Sequence, residues 1–229
     1  MTTSRRLAAV TGVLYLVTFA TSIPALALKR PFLQGEGTAA TMQWAVVLEV
    51  VLALACIGTA VAFHPIGARH DPALATGFVA SRMLEASTVL TGAIALLAIG
   101  SIRSATGAGD GAQTADAALV AIHDGAFLVG PGLLPAVNAL LFGALLYRAR
   151  LVPRVIPLIG MIGAPLLALS GLGTIFGLHD QVSPLAGLAA LPIALWEFSI
   201  GVWLIVKGVD QTAAPAHRPA PVRRSAAPA

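Results

Sequence analysis

Residues 74–101 read LATGFVASRMLEASTVLTGAIALLAIGS, and the only charges in them are Arg82 and Glu85. A run of roughly 18 or more apolar residues can cross a hydrocarbon core of about 30 Å as a helix rising 1.5 Å per residue. An unpaired charge at the centre of such a helix costs about 2.5–3.5 kcal/mol on insertion scales. Arg82 and Glu85 stand three positions apart and so share one helix face. The stretch therefore predicts a membrane helix carrying an internal ion pair.

Working outward, five more apolar blocks lie at about 7–28, 43–66, 119–147, 153–177 and 184–207. The chain is 57% hydrophobic and only 10% charged, against about 25% charged in ordinary soluble domains. The blocks do not alternate polar and apolar residues, which argues against a membrane β-barrel. The expected fold is all-α: a polytopic integral membrane bundle of six transmembrane helices, one domain over residues 1–209. Residues 210–229, DQTAAPAHRPAPVRRSAAPA after Val209, form an Ala/Pro/Arg-rich tail too poor in apolar residues to build a core. Residues 102–118, IRSATGAGDGAQTADAA, read as a flexible Gly- and Ala-rich connection.

The net charge of +4 does not point to nucleic acid, because the basic residues sort by side of the bundle. With the N-terminus inside, Arg5, Arg6, Arg69, Arg148, Arg150, Arg154, Lys207, Arg218, Arg223 and Arg224 fall inside, and Lys29, Arg30 and Arg103 outside. The positive-inside rule then predicts both termini in the cytoplasm and a multi-pass protein of the cell membrane. Residues 3–27 also fit a signal peptide, with a basic start and an Ala-Leu-Ala near the end, but the long apolar stretch and the charge count favour retention. Cys56 is the single cysteine, so neither an internal disulfide nor a cysteine metal site is expected.

Seven polar residues fall inside the apolar blocks: Glu49, Arg82, Glu85, His123, Asp124, Asn138 and Glu197. Four acids face a single arginine. The surplus carboxylates are expected to hold protons unless a cation is bound, and all of them must face one another or a wet cavity. Glu49 lies on a stripe with Ala45, Ala53, Cys56 and Ala60, small residues that allow close helix contact, so it faces protein. In the fourth block, Asp124, Pro131, Pro135 and Asn138 project within about 60° of one another. Its Gly-Pro-Gly at 130–132 is a place where the helix is expected to break and line a cavity.

The candidate catalytic acids are Asp124, Glu197 and Glu49; the candidate binding residues are Arg82, Glu85, His123, Asn138 and Trp196. Trp196 and Trp203 also suit interface packing. No metal or other cofactor is expected, since no ligand spacing is diagnostic, and no phosphate loop, HExxH or Gly-x-Ser-x-Gly is present. The expected partners are membrane lipids, a lipid-like or small-molecule ligand, and a second copy of the chain.

Several stretches together resemble a bacterial six-span membrane family catalogued as domain of unknown function 4386. They are GVLYLVTFA (12–20), LEVVLALACIGTAVAFHPI (48–66), GFVASRMLEA (77–86), ALLYRARLVPRVIPLIGMIGA (144–164) and LPIALWEFSIGVWLIVKG (191–208). The resemblance extends to Glu49, Arg82, Glu85, Asp124 and Glu197, less to His123, and implies six spans without an established activity. Three functions stay open on the sequence: a site that binds or processes a lipid-like or small apolar substrate by acid–base chemistry, a proton- or cation-coupled transporter or sensor, and a purely structural polar core.

Overall fold

The computed structural model describes residues 2–105 and 109–210. Among them there are six helices and no strand: α1 Thr3–Leu33, α2 Ala39–Gly67, α3 Pro72–Ser104, α4 Asp110–Ala149, α5 Val155–Ile175 and α6 Pro184–Val206. All six are long and apolar enough to cross a membrane. Of the Ala/Pro/Arg-rich tail expected over 210–229, all but Asp210 lies outside the described residues.

Local chemistry sets the helix starts. Thr2, Thr38, Asp71 and Ser183 each accept a backbone N–H in the first turn of α1, α2, α3 and α6, which satisfies donors that a helix start leaves open. Pro72 and Pro184 follow their caps, where a missing N–H costs nothing. Arg150 ends α4 in the left-handed region at φ 54°, and α5 turns back within five residues.

Each helix packs on its chain neighbours, and α6 closes on α1. Helix directions alternate, so the start of α1 meets the end of α6. Arg5 donates to the carbonyls of Leu204, Ile205 and Val206 at the end of α6. The seam between α1 and α6 is close: a Cβ on Gly12 would lie 2.5 Å from the Gly201 carbonyl oxygen. Large apolar side chains such as Ile94, Leu169 and Leu188 point outward, each about two-thirds exposed, whereas arginine, lysine and glutamate side chains are buried inside. That is the distribution expected when the outer solvent is hydrocarbon.

The helices are unequal. α4 has 40 residues, while α5 has 21 and α6 has 23. Because α4 and α5 share a short turn, the end of α5 lies level with about residue 129 of α4, and Thr174 and Leu128 indeed line one recess. The end of the bundle away from the termini therefore has a step, with α1 to α4 standing above α5 and α6.

Three local expectations are corrected. The connection 102–118 is helical from Asp110 onward, with 106–108 outside the described residues; Arg103 holds Asp116 through two bonds of 2.7 and 2.8 Å and also donates to the Phe32 carbonyl. The Gly-Pro-Gly of α4 does not break the helix, which runs unbroken through Pro131 and Pro135, packed on α3 on one side and α5 on the other. α1 likewise runs through Pro24 and Pro31 to Leu33, five residues past its expected end.

Candidate functional site

The interior is layered along the bundle axis. Towards the chain termini lies an aromatic layer centred on Phe142, with Phe78 stacked at 4.4 Å, Phe63 edge-on at 4.7 Å, Tyr15 at 6.0 Å and Trp196 at 6.1 Å. α5 passes this layer with Gly160, where a Cβ would overlap the Trp196 indole. Trp196 is thus fully buried packing; it does not line the cavity described below, contrary to the role expected of it.

Arg82 rests on this layer. Its guanidinium carbon lies 4.9 Å from the Tyr15 ring centre and 5.8 Å from that of Phe78, within the range of cation–π attraction. One terminal nitrogen donates to Glu85 at 2.7 Å and the other to Glu197 at 3.2 Å. The Asn138 amide also donates to Glu85, at 2.7 Å, and Ser81 donates to the Asn138 carbonyl oxygen. Arg82, Glu85 and Asn138 are buried and belong to α3 and α4; Glu197 reaches in from α6. A planar guanidinium can serve two carboxylates at once, which a lysine could not do with the same geometry.

Above this network opens a cavity of about 290 Å³. Its charged lining comprises Arg82, Glu85 and Glu197 at the base and Lys29 and Glu49 higher up, with His123 beside them. Apolar walls come from Phe19, Leu52, Val89, Phe127 and Ile193. The cavity reaches the outer surface between α1 and α6: Ile23 lines it and is 64% exposed, and no residue of α6 before Ile193 is buried. This lateral opening faces the zone where lipid chains would lie.

Lys29 was expected in an outer loop. The longer α1 instead buries it at 3% exposure, where it pairs with Glu49 and sits 4.4 Å from the Phe127 ring centre. Side chains tilt toward the N-terminus of their own helix, so Lys29 on α1 and Glu49 on the antiparallel α2 lean toward each other. The site therefore holds two cations rather than one, and Glu49 has a counter-ion.

Asp124 was expected to join the acids inside, but its side chain is 57% exposed and lies outside the cavity. His123 is the residue turned inward, 1% exposed. On an ideal helix the two straddle the Asn138 direction, at about 40° and 60°. A small change of twist across the two prolines, each lacking a backbone donor, is enough to choose between them. Asp124 still touches the site through His123, whose Nδ1 lies 3.0 Å from its carboxylate.

Of the candidate residues, the structure thus gathers Glu49, Arg82, Glu85, His123 and Glu197 around one cavity, with Asn138 behind Glu85, and leaves Asp124 and Trp196 outside it. Lys29 is the residue that sequence reasoning missed. Its signal was there: it follows an unbroken apolar run, and the acid surplus required a second cation.

Six apolar helices closed into a ring around a charged, laterally open cavity define a multi-pass membrane protein. The chain belongs to the family described as Domain of unknown function (DUF4386), whose model matches residues 10–208. No curated protein and no solved structure matches it.

Proposed function

We propose that this protein is a membrane-embedded site that binds a lipid-like or small apolar substrate and presents carboxylates to it for acid–base chemistry. The observation that carries the reading is the 290 Å³ cavity itself: ion pairs at its base, apolar walls, and an opening between α1 and α6. Ligand sites combine mostly apolar lining with a few fixed polar groups in this way, and a lateral mouth lets an apolar chain enter without crossing water. The aromatic layer beneath Arg82 closes the cavity toward the termini, which favours a site over a continuous ion path. Glu197 is the acid placed for chemistry, because it lines the cavity and is the more exposed partner of Arg82, 14% against 7% for Glu85. Around the end of the bundle where α1 begins and α6 ends stand Arg5, Arg6, Arg69, Arg148, Arg150, Arg154 and Lys207, which supports a cytoplasmic orientation for it.

The test uses purified protein in lipid nanodiscs and a photoactivatable alkyl lipid, scored by intact mass. Wild type is expected to be labelled on α1 and α6. Ala194→Trp, which fills the mouth, is expected to lose that label while keeping its melting temperature. Equal labelling of the two proteins would refute the reading.

A further inference from the structure

We infer that the substrate carries a free hydroxyl group, docked between Lys29 and His123 in the upper part of the cavity. The inference rests on the reading of that cavity as a lipid-like site and specifies which lipid chemistry it takes. Three buried groups there have unused hydrogen-bonding capacity. His123 Nε2 and Glu49 Oε2 have no hydrogen-bond partner among the described residues, although both side chains are buried and both residues line the cavity. Lys29 carries three N–H donors, and Glu49 Oε1 takes one of them. Buried polar atoms are rarely left without partners, because an unmade hydrogen bond leaves the loss of their hydration uncompensated.

The donor and acceptor roles follow from Asp124. A carboxylate only accepts, so the 3.0 Å contact to Nδ1 assigns the His123 proton to that nitrogen. In the neutral imidazole Nε2 is then an acceptor. The cavity therefore offers a donor, Lys29 Nζ, and two acceptors, His123 Nε2 and Glu49 Oε2. Phe127 adjoins both groups, its ring centre 4.4 Å from the Lys29 nitrogen and 6.4 Å from the imidazole centre.

An alcohol meets the donor and one of the two acceptors with one group: its oxygen accepts from Lys29 and its O–H donates to His123. A carboxylate or phosphate would meet Lys29 but face two acceptors with no proton to give. An ammonium would satisfy the acceptors but stand against Lys29. A hydroxyl is also neutral, so it leaves the Lys29–Glu49 pair undisturbed. Asp124 acts here as a positioning residue, fixing the His123 tautomer from the exposed side of α4.

The experiment compares a photoactivatable long-chain 1-alkanol with its methyl ether, in nanodiscs, by intact mass and peptide mapping. Wild type is expected to prefer the alcohol about tenfold. His123→Leu and Asp124→Ala are each expected to erase that preference while retaining ether labelling. Because Asp124 is exposed, the second variant gives a reading even where the first fails to fold. Equal labelling of alcohol and ether by wild type would overturn the hydroxyl inference and leave the lipid site standing. A preference that survives both variants would overturn the assignment to Lys29 and His123. Labelling of neither probe above the Ala194→Trp level would overturn the lipid site, and this inference with it.

Discussion

The two halves of the interior solve opposite problems. On the side of the termini, all six helices meet at an aromatic layer with no room to spare: Phe142 touches four rings, and Gly160 is the only width α5 can have beside Trp196. On the other side, two short helices leave a step and a cavity whose lining includes two cations and three acids. Packing supplies stability in the first half. In the second, ion pairs make an open space tolerable, because each charge inside hydrocarbon must be matched. Arg82 joins the halves, lying flat on the rings while holding Glu85 and Glu197 above them.

The comparison can be broken first at Arg82. Arg82→Ala leaves two acids without their cation, and removal of one partner of a buried pair costs about 3–5 kcal/mol. A large fall in melting temperature in detergent is expected. A melting temperature equal to wild type would mean that the polar half does not depend on its ion pairs.

Trp196→Ala attacks the other half. Truncating a buried aromatic costs about 3–5 kcal/mol, so thermal stability is again expected to fall sharply. Any of this variant that is folded at low temperature should take up the alkyl probe as wild type does, since Trp196 does not line the cavity. Loss of stability and of labelling in parallel would show that the halves are not separable.

Glu49→Gln should have an intermediate effect. It leaves Lys29 buried without its counter-ion, at about 2–3 kcal/mol. The double change Lys29→Met/Glu49→Met is expected to recover most of that loss, because apolar replacement of a buried pair is often neutral or stabilising. Failure of the double variant to recover would assign the loss to packing rather than charge. The smallest effect belongs to Asp124→Ala, an exposed site where a stability change within about 0.5 kcal/mol is expected. A fall well beyond that in thermal unfolding would show that Asp124 supports the fold itself.

By itself the sequence determined the fold class, because spanning a bilayer imposes a length and a composition that can be read without neighbours: six apolar runs yield six helices. It also determined that Arg82 pairs with Glu85, since i, i+3 spacing is local geometry, and that Glu49 faces protein, since its stripe of small residues marks a helix contact. Only the tertiary structure decided the rest. Whether α1 stops at residue 28 or at Leu33 depends on what covers its last turn, and that choice moved Lys29 from a loop into the cavity. Whether Asp124 or His123 turns inward depends on a twist accumulated over two prolines, too small for a helical projection to resolve. Asp116 and Arg103 order a segment that composition marks as loose. Lys29 with Glu49 and Arg103 with Asp116 are contacts between different helices, and spacing along a single helix carries no information about them.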